Sequence, residues 1–578
     1  MKNNQTNQAL KKSGFAILLA VISLPSVSLA DPFGLWINAN TTNNYSDGSK
    51  WVAIGGSLPG GVPGSSNDAY IFDGTLRVEA GGNFNPQQLI MGWENWHVGE
   101  YLQTGGNTRT EYWTKVGIAG NQVFNQSGGT FSAADLAVGW TRGANVGTGV
   151  MNLSGGTFGS RAATFVGLEG ATGTINISGG TYNATGNGWG SFRIADYGTG
   201  TGTVNLSGTG VVNASQYTAV GGNGNGTLNI SGGTWNQATG GIVVGDAADL
   251  NWTGRGDVNQ SGGTVNSDYV LQQKGTYNLN GGTLSVLGVA DTKAERTGVF
   301  NFNGGTIQAR ANNANFIQAD TVEIKSGGGT VDTAGNEAWI TQGMTGAGGL
   351  TKTGTGNLRL KGNNTYSGTT FANQGLTFID GSITGGLTIN NGGAAAGAGS
   401  VGALEIASGG VLAPGNFTGT MSATSSIWNG GGSYSWQVNN FLGSLGSGWD
   451  SLNISGGLSI AASSANKFVI DIVSLLSDNS ALGSAANFND ANNYSFAIAT
   501  AAGGISGFDA SYFQVNTGGL ANSFTGNWGV AKSGNNINLT YSAASATAIP
   551  EPASGSLLAL GLVSVVWLRL RQRRTLIA

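Results

Sequence analysis

The stretch Thr174-Ile175-Asn176-Ile177-Ser178-Gly179-Gly180-Thr181-Tyr182 decides how the chain is read. In a strand successive side chains alternate between faces, so Ile175 and Ile177 share one face and Asn176 takes the other. The apolar face turns inward. Ser-Gly-Gly then closes the strand, because glycine tolerates the positive φ of a sharp corner. Close copies occupy residues 150–158 and 227–235, and looser ones centre on Asn125, Asn205, Asn259, Asn278 and Asn301. These asparagines recur every 19 to 30 residues, a quasi-period that fits one coil of a solenoid.

No single coil can bury its apolar face alone, so neighbouring coils must complete the core. Stacking places like residues about 4.8 Å apart and predicts Asn and Thr ladders. It also predicts an aromatic stack through Phe158, Tyr182 and Trp235. A second strand is expected in most coils, at Leu136-Ala137-Val138-Gly139, Tyr217-Thr218-Ala219-Val220 and Ile242-Val243-Val244-Gly245. Gln126 and Gln260 stand where an inward apolar residue belongs, which implies local relaxation or a misassigned face.

Composition supports a repetitive β architecture. Glycine is 103 of 578 residues and charged residues are 9%, against usual shares of about 7% and about 25%. Hydrophobic residues at 39% are ample for a core, and 8 prolines without a Gly period of three exclude collagen. The absence of cysteine removes disulfides, thiolate zinc sites and cysteine nucleophiles. Net charge is −4, and several of the basic residues sit in the two end segments. An acidic body without a basic stripe argues against a nucleic-acid partner.

Both ends read as addresses. Lys11 and Lys12 precede an apolar run over residues 15–24, and Ser28-Leu29-Ala30 follows, the pattern of a secretory signal cut by signal peptidase after Ala30. Near the other end, residues 553–568 carry no charge and are closed by Arg569, Arg571, Arg573 and Arg574. This is a candidate transmembrane helix with the arginines as a cytoplasmic membrane stop. Pro550, Glu551 and Pro552 stand just before it, where two prolines keep the backbone extended.

That order of Pro-Glu-Pro, apolar run and arginine cluster resembles the PEP-CTERM sorting signal of Gram-negative bacteria. The resemblance covers about the last 30 residues. It implies a transient inner-membrane anchor, cut by an exosortase-like protease at the Pro550-Glu551-Pro552 motif. A plain C-terminal anchor is the alternative. Further inside, residues 349–360 and 362–368 (Gly349-Leu350-Thr351-Lys352-Thr353-Gly354 onward, then Gly362-Asn363-Asn364-Thr365-Tyr366-Ser367-Gly368) resemble the autotransporter-associated β-strand repeat. The segment Gly409-Gly410-Val411-Leu412-Ala413-Pro414-Gly415-Asn416 resembles what often follows that repeat. With the Gly-Gly-Thr coils the likeness covers most of residues 110–425, and it implies a right-handed parallel β-helix on an exported protein.

The expected organisation is all-β: a signal peptide (1–30), an N-terminal β cap (31–110), Gly-Gly-Thr β-helix coils (111–345), the autotransporter-associated repeat region (346–424), a terminal antiparallel β domain (425–545) and the sorting segment with its transmembrane helix (546–578). From about Ser433 the strands lengthen and lose glycine, and a hairpin is signalled around Gly534-Asn535-Asn536. A cap at each end covers open strand edges.

Chemistry is sparse. His97, the sole histidine, has no nucleophile-elbow sequence beside it and makes a zinc site improbable; it reads as a surface or cap residue. Asp135, Asp196, Asp246 and Asp249 are scattered along the coils, so a carboxylate-based glycosidase or lyase is the weaker alternative. Arg255-Gly256-Asp257 reads as chance in a glycine-rich chain. No catalytic residue, metal or cofactor is assigned. Trp93, Trp96, Trp113, Trp140, Trp189, Trp235 and Trp252 lie near coil edges and are candidates for stacking on sugar rings, with core packing as the plainer account. The expected function is a structural or adhesive surface protein contacting exopolysaccharide or other surface glycans. Self-secretion through a C-terminal barrel would need a long series of alternating membrane strands, which the sequence does not display.

Overall fold

The structure is a computed structural model that describes residues 33–36, 42–54, 57–186, 192–245, 254–291 and 297–544. Ala30, Pro550, Glu551, Pro552 and Arg569, Arg571, Arg573 and Arg574 lie outside these residues, as do the segment expected to be a signal peptide (1–30) and the apolar run (553–568). Among the described residues no helix is long and apolar enough to cross a membrane, and helix is confined to three short 3-10 turns. The chain forms two compact units, Met1–Phe300 and Asn301–Ala578.

In the first unit each coil contributes three strands. The Asn-bearing strand comes first, as in Gly147–Leu153, Thr172–Ile177, Thr201–Leu206 and Asn225–Ile230. A short strand follows the Gly-Gly corner in the same sheet, as in Thr157–Ser160 and Thr181–Ala184. The third strand joins a second sheet, as in Asp135–Trp140, Thr164–Leu168 and Phe192–Ile194. The post-corner strand is absent from the sequence reading, which placed only a corner there. All these pairings are parallel and keep register, so Asn125, Asn152, Asn176, Asn205, Asn229, Asn259 and Asn278 stand in one column.

The repeat block behaves as its alternation requires. Met151, Leu153, Ile175, Ile177, Leu228 and Ile230 are fully buried inside the coil. Each column asparagine donates from Nδ2 to the Oδ1 of the one before, at 2.8 to 3.0 Å, from Asn152 to Asn278. A second ladder runs through Asn183, Asn213, Asn236 and Asn266 at 2.8 to 2.9 Å. The second glycine of the pair needs its freedom: Gly180 has φ +69°, and a Cβ there would lie 2.6 Å from the Gly156 carbonyl oxygen.

Gln126 and Gln260 are inward and buried, which supports the face assignment, and the register shifts locally just after Gln260. The Gln126 Nε2 donates to the carbonyls of Thr157 at 3.0 Å and Gly129 at 3.2 Å. Gln260 donates to Thr283 O at 2.9 Å and accepts from the Tyr277 hydroxyl at 2.6 Å. A glutamine before the corner thus supplies additional donors to backbone carbonyls at the turn, which a leucine cannot do.

The aromatic stack is shorter than expected. Phe131, Phe158 and Tyr182 stack at 5.0 Å steps, but Val212 follows Tyr182 in register. Trp235 packs instead against Phe192 at 5.3 Å. At the front, Phe33–Trp36 pairs antiparallel with Trp51–Ile54 and parallel with Ala69–Ile71, and Trp36 meets Trp51 edge-on at 5.0 Å.

In the second unit the repeat-like segment forms parallel rungs: Glu337–Ile340, Asn357–Leu360, Gly375–Ile379, Gly393–Gly397 and Val411–Pro414 pair in succession. The terminal region corrects the antiparallel expectation. Ser433–Val438 pairs parallel with Phe468–Ser474, and that strand pairs parallel with Phe513–Gly519. Antiparallel strand pairs join Tyr494–Ala501 to Asn536–Ser542 and, in the expected hairpin, Asn527–Ser533 to Asn536–Ser542. Strand length and glycine content do not encode direction.

Candidate functional site

Along the second sheet of the first unit, one column runs Lys115, Ala137, Phe165, Arg193 and Ala219, aligned by parallel register, with Lys115 and Phe165 part-exposed and Ala137, Arg193 and Ala219 buried. Residues at the strand ends add Trp113, Trp140, Tyr197 and Tyr217. None of these four is fully buried, and neither is Phe165. Trp113 lies 5.3 Å from Trp140 and 5.8 Å from Phe165, and Phe165 lies 6.2 Å from Tyr197. Cations sit among the rings: the Lys115 ammonium is 4.4 Å from the Trp140 centroid, and the Arg193 guanidinium is 5.1 Å from Tyr197 and 5.2 Å from Tyr217. Arg142 covers Trp93 at 3.7 Å, and Trp93 meets Tyr70 at 5.7 Å.

With strands about 4.8 Å apart, the row from Trp93 to Tyr217 extends about 24 Å. Fixed geometry comes from the hydrogen bonds around it. Trp140 Nε1 donates to Glu169 Oε2 at 2.8 Å, and Arg193 is ion-paired with Asp196 and bonded to the Tyr217 hydroxyl. Burial lowers the Lys115 pKa, with Asp68 opposing that shift. Part-exposed rings gathered on successive coils, with polar and cationic groups beside them, offer apolar faces and hydrogen-bond donors to an extended ligand.

In the second unit a cation–ring arrangement belongs to the packing, with Phe378 1% exposed in a core cluster and Arg359 7% exposed. Trp339, Arg359 and Phe378 align in register on successive rungs, with the guanidinium 5.7 Å from Trp339 and 4.0 Å from Phe378. Lys361 lies 4.5 Å from the Trp339 ring. Arg359 also pairs with Asp380 and donates to Asn416 at 3.1 Å.

Of the tryptophans singled out from sequence, Trp93, Trp113 and Trp140 come together in the row. Trp96 is 53% exposed and stands against His97, Trp235 is core, and Trp189 and Trp252 lie outside the described residues. Phe165, Arg193, Tyr197 and Tyr217 carry no repeat motif, and only the register gathers them.

His97 is buried, not a surface residue. Its Nδ1 accepts from the backbone amides of Trp93 and Glu94, both at 3.1 Å, and its ring stacks on Phe72 at 4.4 Å. Burial depresses its pKa to about 4. A catalytic-triad histidine must donate from Nδ1 to a carboxylate, so this ring is in the wrong tautomer for that role. Asp135 accepts from the Ala163 amide at 3.0 Å and Asp196 is taken by Arg193, while Asp246 and Asp249 lie outside the described residues. Arg255 and Asp257 sit on one strand and pair with each other at 3.0 Å, so the tripeptide does not form a projecting loop. Among the described residues no group of three or more metal-ligating side chains gathers.

No family model matches the chain. It is similar to an extracellular serine protease of Serratia marcescens, 46% identical over 96 residues, which are 16% of this chain and 9% of that protein. It is also similar to the adhesin BmaC autotransporter of Brucella suis biovar 1 (strain 1330), 36% identical over 111 residues, 18% of this chain and 3% of the adhesin. The chain thus spans less than a tenth of the curated relatives it matches. Fold and site define a parallel β-solenoid protein that shares repeat-like sequence with autotransporter-type proteins.

Proposed function

We propose that this is an exported, non-enzymatic surface or matrix protein whose solenoid binds glycan chains along the Trp93 to Tyr217 row. The observation that carries the reading is the cluster of part-exposed rings that the stacked coils bring together, with Trp113 5.3 Å from Trp140 and 5.8 Å from Phe165, and Phe165 6.2 Å from Tyr197. Many weak contacts along one rigid face suit a polymer with its own repeat. Export is supported by the signal pattern ending at Ala30 and by similarity to an extracellular protein and an autotransporter adhesin. The segment with Pro550, Glu551, Pro552 and the four arginines supports transient membrane insertion and removal by an exosortase-like protease.

Incubating the full chain with a panel of exopolysaccharides tests this. Retention that falls at least tenfold in Trp113→Ala and Trp140→Ala is expected, with no release of reducing ends or unsaturated products. Product release would replace the binding role with a degrading one, and unaltered retention would remove the row from the account. Replacing Pro550, Glu551 and Pro552 by alanine is expected to leave uncut protein in the inner membrane, and normal processing would count against exosortase sorting.

A further inference from the structure

The second unit exposes leucines on two adjoining loops. Leu442 is 71% and Leu445 47% exposed on the connection at residues 439–450, and Leu476 is 40% and Leu482 42% exposed on the connection at residues 475–493. These are large apolar side chains that a soluble surface seldom gathers. They are held in place rather than loosely presented. The second loop is pinched by a bridge between Leu475 and Leu482 and by Leu476 N donating to Ala481 O at 2.9 Å. The loops are tied together by Phe441 N to Ala486 O at 3.0 Å, Asn439 Nδ2 to Asn479 Oδ1 at 3.0 Å, and Asn487 Nδ2 to Asn440 Oδ1 at 2.8 Å.

The same loops border the point where the described chain ends. Ala543 N donates to Asn493 Oδ1 at 2.8 Å, and Tyr541 is bonded to Asp490. Phe488 bridges the two regions, 4.8 Å from Phe441 and 5.5 Å from Tyr541. Between Ala544 and the apolar run that begins at Ala553 the backbone can extend at most about 30 Å. A tether that short keeps this edge near whatever holds the run.

We propose that the loops bearing Leu442, Leu445, Leu476 and Leu482 are a lipid-contacting surface, seated on the membrane face from which the chain emerges. This rests on the reading of residues 553–568 as membrane-spanning. Residues 439–450 and 475–487 contain no lysine or arginine, so the contact is apolar and does not depend on anionic headgroups. The loops thereby orient the terminal region on the bilayer while the sorting segment is still attached.

The chain has no cysteine, so single labels can be placed without a background. Leu442→Cys, Leu482→Cys, Leu562→Cys and Val98→Cys are each spin-labelled in the full chain and reconstituted in phosphatidylcholine vesicles. Accessibility to oxygen is then compared with accessibility to a water-soluble nickel chelate. Labels at 442 and 482 are expected to favour oxygen severalfold, unchanged at high salt, while the label at Val98, 61% exposed in the first unit, stays aqueous. Aqueous labels at 442 and 482 beside an immersed one at 562 overturn the proposal and leave the spanning segment standing. An aqueous label at 562 removes both. Immobilised labels at 442 and 482 that shed the nickel chelate equally without vesicles mean that protein covers the loops, and also overturn it.

Discussion

The Glu100 carboxylate accepts a hydrogen bond from the Asn125 side-chain amide at 2.6 Å, and its other oxygen accepts from Thr75 Oγ1 at 2.8 Å. A carboxylate only accepts, so it fits the end of the ladder where donors point and nowhere along it. The ladder therefore has a direction, with each amide donating toward the N-terminal coil and Glu100 as its foot.

From this, a mid-ladder aspartate is worse than a gap. Asn205→Ala removes one donor and one acceptor and is expected to cost about 1 kcal/mol. Asn205→Asp sets a carboxylate against the Asn176 Oδ1, which now receives its bond from Asn205 at 2.8 Å, and is expected to cost about 2 to 3 kcal/mol at neutral pH. Denaturant midpoints of the two variants rank the effects, and equal midpoints would mean that the ladder has no directional demand.

His97 makes stability depend on pH. Its pKa in the fold is about 4 against 6.5 when free, so the folded state binds fewer protons than the unfolded state between these values. The associated stability is complete above about 6.5 and drains away as pH falls toward 4, by at most roughly 3 kcal/mol. His97→Asn keeps an acceptor near the Trp93 and Glu94 amides without a titrating group. Its acid melting profile between these pH values is expected to be flatter than that of the unaltered protein.

Gly180, at a corner, and Gly159, within a strand, differ in kind. Gly180→Ala forces a side chain at φ +69° against a carbonyl oxygen 2.6 Å away, and a loss above about 2 kcal/mol is expected. Gly159→Ala places its Cβ no closer than 3.8 Å to a neighbour and is expected to change stability by less than about 0.5 kcal/mol. Thermal unfolding of the pair checks the contrast.

Tryptophans divide in the same way. Trp235 is fully buried, and Trp235→Ala is expected to cost about 3 to 5 kcal/mol. Trp140→Ala is expected to weaken glycan retention while moving the denaturant midpoint far less, since its ring lies partly exposed on the outward side of the sheet. A large loss of stability in Trp140→Ala would make that ring structural.

The solenoid was legible in the sequence where two signals agreed. Alternation around Asn176 set the inward face, and the recurring Gly-Gly set the corners; both depend only on residues close in the chain. Tertiary structure decided the rest. Whether Gln126 was a defect depended on the carbonyls of Thr157 and Gly129, which the turn and the next coil bring to it. Strand direction beyond Ser433 depended on which strand of another coil each one pairs with, and local composition is blind to that. The aromatic cluster was only partly legible: Trp93, Trp113 and Trp140 stood out as candidates, but Trp113, Phe165 and Tyr197 come from separate segments and are brought together only when successive coils stack.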